Sequence, residues 1–133
     1  MKKIALFAIV CATMLFGSCR HETFTIDYAI GCVGYQYGIQ GTDWENLQSY
    51  FETNVEFNKI VTFEGKSLAE ADAKARQYCD EQLKKIDTAY VCSLLHNTDY
   101  YDYGITTQTA NGGDRKIKVM RFEESGAHEL NVQ

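Results

Sequence analysis

A thiol and an imidazole stand four residues apart in this 133-residue chain, at Cys92 and His96. A cysteine becomes a nucleophile when a neighbouring base takes its proton, and residues four apart share one face of a helix. The alternative is a buried cysteine on an apolar turn, with His96 at the end of that turn. Because no further part of a thiol-enzyme motif accompanies the pair, the buried cysteine is the favoured interpretation.

Gly65-Lys66-Ser67 follows an apolar segment and precedes a helical pattern, as the end of a phosphate-binding loop does. The full motif needs a glycine five residues before the Gly-Lys pair, and this chain has Ile60 there. Ser67 is therefore expected to cap a helix, and nucleotide binding is not expected.

Metal-ligand chemistry has little support in this sequence. The three histidines lie far apart, and no close pair of histidines or cysteines has the spacing of a zinc site. Asp99 and Asp102 flank two tyrosines but lack the ligand spacing and the glycine of a calcium loop. The sequence predicts no metal site and no cofactor, and it assigns no catalytic residue.

Aromatic side chains give the clearest indication of a binding role, since nine tyrosines and one tryptophan are many for a small acidic domain. Exposed Tyr and Trp rings form protein contacts or stack on sugar rings. Three rings are expected to pack in the core: Trp44, Tyr101 and Tyr103. Three others are the candidate binding residues: Tyr35, Tyr37 and Tyr100.

The elements that position these rings follow from the spacing of apolar residues. Residues 24–32 alternate with period two and predict a strand, residues 60–63 a short second strand, and residues 101–122 a hairpin with its turn at 111–114. Thr42–Glu45 and Ser67–Glu70 have the spacing of capping boxes, and each opens an amphipathic helix. One or two further helical turns are expected over residues 90–95.

The order β-α-β-α-β-β predicts an α+β fold. We expect a two-layer sandwich in which two main helices cover one face of a mixed four-stranded sheet. Residues 23–123 form this single domain, and the polar residues 124–133 are expected to be a fraying tail.

The first nineteen residues have the order of a secretory signal. Two lysines precede an uncharged run over residues 4–16, and Gly17-Ser18-Cys19 follows. The run is shorter than the roughly 20 residues needed to span a bilayer, and it fits the apolar region of a cleavable signal. Residues 1–18 are therefore predicted to be removed on export.

The residues before Cys19 resemble the lipobox of bacterial lipoproteins, with Phe16 where that family prefers Leu. The resemblance implies that Cys19 is diacylated and becomes the new N-terminus, with residues 19–22 as a short tether. Arg20, in place of an aspartate, implies the outer membrane and leaves the membrane face open. The alternative is an ordinary signal cut near Ser18, with Cys19 as a plain thiol.

More of the chain is similar to small acidic lipoproteins of Bacteroides-like Gram-negative bacteria. The residues that carry this resemblance are Cys19, the strand at 24–30, residues 67–75, residues 85–87 and the closing hairpin. It implies a location in the cell envelope and a lipid anchor, and it implies no particular activity.

Charge and cysteine content restrict the partners. Loss of residues 1–18 removes two of the 13 Lys and Arg and none of the 18 Asp and Glu, so the net charge changes from −5 to −7. Nucleic acid is therefore not an expected partner, and the lipid must hold the protein at anionic membranes. Cys32, Cys79 and Cys92 remain in an oxidising compartment, where one internal disulfide could join Cys79 and Cys92.

These features predict a membrane-anchored, non-enzymatic binding or accessory module with an envelope protein as its partner. One alternative is a glycan-binding surface lipoprotein that uses exposed Tyr and Trp rings. The other is an enzyme whose reaction no motif identifies.

Overall fold

Five strands and three helices make up the part of the chain that the structure describes. This computed structural model covers residues 23–108 and 114–132. In chain order the elements are β1 (Phe24–Tyr35), α1 (Gly41–Asn54), β2 (Lys59–Gly65), α2 (Leu68–Leu83), α3 (Thr88–Ser93), β3 (Tyr100–Thr107), β4 (Lys116–Glu123) and β5 (Gly126–Glu129). The strands form one sheet in the order β2-β1-β3-β4-β5, and the helices pack on one of its faces.

The sheet differs in detail from the sequence prediction. The α+β class is confirmed, and α3 supplies the helical turns expected over residues 90–95. The sheet has five strands, however, where four were expected, and every neighbouring pair is antiparallel, so the expectation of a mixed sheet is wrong.

The antiparallel pairing of β1 with β2 comes from the path of the chain after β1. Trp44 of α1 packs on Tyr35 at the end of β1, so α1 begins there, and Phe51 farther along the helix stacks on Tyr101 and Tyr103 of β3. β2 then continues in the same direction beside the first half of β1, from Ile30 opposite Lys59 to Phe24 opposite Gly65. A β-α-β order gives parallel strands only when the helix returns along the full length of the first strand, so that the second strand starts at the same end as the first.

The tail expected to fray contains the fifth strand. Gly126 adopts a φ of +143°, which lets the chain reverse after β4, and Arg121 pairs with His128 in the resulting ladder. Glu129 then pairs with Arg76 at 2.9 Å. Ladder hydrogen bonds and ion pairs order this polar segment, and apolar spacing does not report such interactions.

Side chains cap the starts of two helices, and the cap at Ser67 is the one that the sequence predicted. The Ser67 hydroxyl accepts the N–H of Glu70 at 3.1 Å, at the start of α2. The Asp87 carboxylate accepts the N–H of Tyr90 at 3.2 Å, at the start of α3. Both caps satisfy backbone donors that the first turn of a helix leaves without an internal partner.

The capping box predicted at Thr42–Glu45 is wrong. α1 begins at Gly41, two residues earlier than a cap at Thr42 would place it, and its N-cap Gln40 makes no side-chain hydrogen bond to the first turn. Thr42 therefore lies inside the helix, where its hydroxyl cannot act as the cap.

The core is centred on Phe51 of α1. Its ring stacks on Tyr101 and Tyr103 of β3, with centroid distances of 4.8 and 5.3 Å. Each tyrosine hydroxyl donates a hydrogen bond at the core boundary, Tyr101 to Gln48 Oε1 at 2.7 Å and Tyr103 to the Glu56 carbonyl at 2.6 Å. Because a buried hydroxyl without a partner is costly, these bonds allow both rings to be fully buried.

Two sequence predictions concern residues that the structure does not describe. The signal and Cys19 lie within residues 1–22, and most of the turn expected at 111–114 lies within residues 109–113. In the described part of the chain, no helix has both the length and the apolar character needed to cross a membrane.

Asp72 links α2 to the sheet. Its carboxylate accepts the Tyr28 hydroxyl at 2.8 Å and two hydrogen bonds from the Arg115 guanidinium at 2.9 and 3.1 Å. Burial alone would raise the pKa of Asp72, but the bonds from Arg115 and Tyr28 and the charge of Arg115 outweigh it. The pKa of Asp72 therefore lies below its ordinary value.

A lowered pKa makes this contribution to stability dependent on pH. It should be present above the unfolded-state pKa, about 3.9 for Asp, and should be lost as the pH falls through the folded-state value. Asp72→Asn should therefore lower the free energy of unfolding clearly at pH 7 and much less near pH 2, as measured by urea denaturation. Glu124→Gln, at an exposed carboxylate, is the control. An equal loss for Asp72→Asn at both pH values would contradict this account.

Candidate binding surface

Three aromatic rings, Tyr35, Tyr37 and Trp44, form a connected group at one end of the sheet, here called the aromatic cluster. Tyr35 lies 4.9 Å from Tyr37 and 4.4 Å from Trp44, measured between ring centroids. The Trp44 ring lies 5.9 Å from that of Tyr101, which belongs to the core. The ring of Tyr37 is 81% exposed, whereas Tyr35 and Trp44 are half-buried. The cluster is thus a continuous series of ring contacts from the core to the solvent.

The end of β1 and the loop after it position the cluster. The ladder between β1 and β3 shifts register between Cys32 and Gly34, and the strand then continues to Tyr35 opposite Tyr101. A side chain at Gly34 would place its Cβ 3.2 Å from Asp102 Oδ2, so glycine leaves room for that carboxylate. After Tyr37, Gly38 adopts a φ of +100°, which turns the chain toward α1.

A contact between a histidine and a carboxylate lies beside the cluster. His96 Nε2, in the loop after α3, lies 3.3 Å from Oδ2 of Asp43, which precedes Trp44 in the first turn of α1. The same loop is closed by the backbone N–H of His96, which donates to Asp99 Oδ2 at 3.2 Å. The pair joins the start of α1 to the segment that leads into β3.

The surroundings of Cys92 and His96 bear on the thiol chemistry considered for this pair. Both Cys92 and His96 line an open hollow of about 650 Å³ between α3 and the β4–β5 turn. Burial, however, raises the pKa of the Cys92 thiol, which therefore stays protonated at neutral pH. The arrangement does not supply a thiolate, and it fits the favoured interpretation of a buried cysteine.

Tyr100 does not join the aromatic cluster. It is next to Tyr101 on β3, so its side chain points to the opposite face of the sheet, away from the helices. There the guanidinium of Arg121 lies over the ring, with Cζ 3.8 Å from its centroid. The same guanidinium binds Asp102 through two hydrogen bonds of 2.8 and 2.9 Å. One face of the Tyr100 ring is therefore already covered.

The cysteines of the described chain are all free thiols. Cys79 is buried against the sheet, and burial raises the pKa of its thiol to about 12. Cys92, in α3, lies next to the backbone of Glu123 and Gly126, where β4 turns into β5. The disulfide that the sequence allowed between Cys79 and Cys92 is therefore not formed in this structure.

The segment that imitates a phosphate loop satisfies its own backbone donors. The N–H of Lys66, which a phosphate-binding loop would direct at its ligand, donates to Glu70 Oε2 at 2.6 Å. The Ser67 hydroxyl caps α2. A carboxylate of the chain therefore occupies the place that a phosphate oxygen would need.

In residues 23–108 and 114–132, no group of three His, Cys, Asp or Glu side chains is arranged to hold a metal ion.

Sequence reasoning brought Tyr35 and Tyr37 forward but assigned Trp44 to the core. Trp44 enters the cluster because the bulge in β1 carries Tyr35 to the start of α1, a contact that no local pattern encodes. Arg121 was also missed, although a signal for it existed. Counting outward from the predicted hairpin turn places Arg121 close to Asp102 on the neighbouring strand.

Comparison with known proteins gives no further assignment. No protein-family model, no curated protein and no solved structure matches this chain. The interpretation of the surface therefore depends on the geometry of its own residues.

We expect the Arg121–Asp102 pair to make a measurable contribution to stability. The Asp102 side chain is 7% exposed, so Arg121→Ala would leave a carboxylate buried without its cation. Breaking a buried pair in this way costs roughly 3–5 kcal/mol, and the partial exposure of Arg121 lowers our expectation to about 2–4 kcal/mol in urea denaturation. Lys59→Ala, which breaks the exposed pair with Glu56, is the control and should lower the free energy of unfolding far less than Arg121→Ala does. Equal stability of Arg121→Ala and the wild-type protein would show that the pair is not needed.

Proposed function

We propose that this protein is a lipid-anchored module of the Gram-negative cell envelope that binds a protein partner through the aromatic cluster and catalyses no reaction itself. The observation that carries the proposal is the exposure of Tyr37. Its ring is 81% exposed and yet packs on Tyr35, which in turn packs on Trp44. Tyrosine and tryptophan are enriched among the residues that dominate protein interfaces, and Tyr37 is an exposed tyrosine supported by half-buried rings.

The packing of the cluster favours binding in a second way. A side chain that is already ordered loses less conformational freedom when a partner covers it. Tyr35 holds the Tyr37 ring from one side, Trp44 packs on Tyr35, and Trp44 is itself supported by Tyr101 of the core. Tyr and Trp also offer a large apolar area together with a hydrogen-bonding group. The cluster is therefore suited to a partner surface that presents an apolar pocket with a polar rim.

The tilt of the rings favours a protein partner over a polysaccharide. Tyr35 is tilted by 55° from Tyr37 and by 42° from Trp44. Sugar rings in an extended glycan chain stack best on aromatic faces that lie in one plane, whereas these three faces are tilted from one another. A single sugar ring stacked on the exposed face of Tyr37 is the second candidate ligand.

The anchor and the aromatic cluster belong to opposite ends of β1. In the proposed mature protein, only residues 20–23 separate the acylated Cys19 from Phe24, the first residue of that strand. Tyr35 is the last of its 12 residues, so the cluster lies roughly 36 Å farther along the strand at about 3.3 Å per residue. A partner bound at the cluster would therefore not collide with the point of attachment.

Crosslinking of the lipidated full chain in its own membranes tests the proposal. We expect mass spectrometry to recover a reproducible protein partner with wild-type protein, and the yield to fall about tenfold or more with Tyr37→Ala, because loss of a dominant interface ring costs about 2 kcal/mol or more. Tyr90→Ala is the matched control, since Tyr90 is an exposed tyrosine that packs on Tyr50 at 4.9 Å, outside the cluster. This control should leave the yield unchanged.

The anchor needs its own control. Cys19→Ser removes the acyl acceptor and should shift the protein from the membrane pellet to the soluble fraction, with loss of the crosslinked product. An unchanged yield with Tyr37→Ala would contradict a role for the cluster. Recovery of uncrosslinked protein alone would count against a protein partner. In that case, if the wild-type protein binds a glycan array and Tyr37→Ala does not, the result would support the single-sugar alternative.

A further inference from the structure

One edge of the sheet carries backbone groups that have no strand beside them in the described chain. β2 lies at the end of the strand order and pairs only with β1. It has seven residues, among them Ile60, Val61 and Thr62, whose branched side chains favour extended backbone. Natural edge strands are commonly protected by proline, charged side chains, bulges or a covering element, because a free edge is a template for another strand. β2 contains neither proline nor a bulge, and its two charged residues, Lys59 and Glu64, lie at or next to its ends.

The register shows which backbone groups point outward from β2. The N–H of Gln108 donates to the Asp27 carbonyl, so Asp27 and the alternate residues of β1 bond toward β3. Tyr28 and Ile30 must then bond toward β2, where they face Val61 and Lys59. The residues of β2 between these partners direct their N–H and C=O groups away from the sheet: Ile60, Thr62 and Glu64.

An independent contact agrees with this assignment. The ammonium of Lys74, on α2, donates to the Glu64 carbonyl at 2.6 Å. A carbonyl that bonded to β1 would be directed into the ladder, whereas an outward one is open to a side chain from the helix above. The outward Glu64 carbonyl thus accepts one hydrogen bond within the chain and keeps a second lone pair. That lone pair and the outward groups of Ile60 and Thr62 have no strand beside them in residues 23–108 and 114–132.

We propose that a second copy of this chain pairs with β2 in antiparallel register, with a twofold axis at Thr62. Thr62 would then face Thr62 of the second copy and exchange both hydrogen bonds with it, and Ile60 would face Glu64 of the second copy. Ile60 is 53% exposed in the single chain and would pack on the aliphatic part of that glutamate. The two five-stranded sheets would become one sheet of ten strands.

Charges on α2 make this edge complementary to itself. The ring of Phe63, next to Thr62, lies 5.6 Å from the ring of Tyr78, which places Tyr78 near the proposed axis. Lys74 precedes Tyr78 by one turn of the helix, and Glu81 follows it by nearly one turn. Two antiparallel copies of α2 would therefore place each Lys74 near Glu81 of the other copy. This charge pattern favours a second copy over an unrelated strand.

The proposed pairing leaves the aromatic clusters accessible. Each cluster lies at the far end of its own β1, and the twofold axis directs the two ends away from each other. Pairing through β2 therefore does not depend on the function proposed for the cluster, and either proposal can fail without the other.

Disulfide trapping in native membranes tests the register. Thr62→Cys in the full chain should give a crosslinked dimer on mild oxidation, because Cα atoms of a hydrogen-bonded antiparallel pair lie about 5.5 Å apart, within disulfide range. Glu64→Cys is the matched control, since its symmetry mate would lie roughly 13 Å away along the strands. Co-expressed Ile60→Cys and Glu64→Cys should give the crosslink that Glu64→Cys alone does not. We expect the Thr62→Cys yield to exceed the wild-type and Glu64→Cys yields about tenfold.

The mass of the wild-type protein provides a second test that needs no cysteine. Light scattering in detergent should give a dimer mass after correction for bound detergent, and Thr62→Lys should give a monomer of unchanged circular dichroism, since two lysines would meet at the axis. A monomeric wild-type protein together with Thr62→Cys yields at background would overturn the proposal. A Thr62→Cys crosslink to a different protein would also overturn it, because the edge would then bind another strand.

Discussion

The packing of Phe51 against Tyr101 and Tyr103 is the interaction on which the rest of the structure depends. It fixes α1 on the sheet, and α1 in turn holds Trp44 against the end of β1. The Tyr101 ring is shared by the core and the aromatic cluster, since it contacts both Phe51 and Trp44. The exposed rings at the end of the molecule are therefore packed onto the core through Tyr101, which favours an ordered binding surface.

The parts of the fold that the sequence predicted are those encoded by neighbouring residues. Alternation over residues 24–32 and the Ser67 cap depend on local spacing, and both are present in the structure. The antiparallel order and the fifth strand depend on contacts between distant residues, such as Glu129 with Arg76, and no periodicity reports them. The same distinction applies to the site: Tyr35 and Tyr37 stood out beside glycines, whereas Trp44 joined them through a tertiary contact.

Two surfaces with different physical character account for the proposed behaviour of the protein. The aromatic cluster presents apolar area on ordered side chains, whereas the β2 edge presents backbone hydrogen-bonding groups in a fixed register. The first suits a partner of different sequence, and the second suits a copy of the same strand. A dimer would carry two clusters at opposite ends, so two weak contacts with partners held in one membrane could act together and bind more strongly than either alone.

The most direct test of the central claim is hydrogen–deuterium exchange of the full chain in its native membranes and after purification in detergent. If a partner covers the aromatic cluster in the membrane, the backbone amides of residues 37–43 should exchange more slowly there, by about tenfold or more, while those of α2 should exchange alike in both samples. Equal exchange of residues 37–43 in membranes and in detergent would show that nothing covers the cluster and would contradict the account.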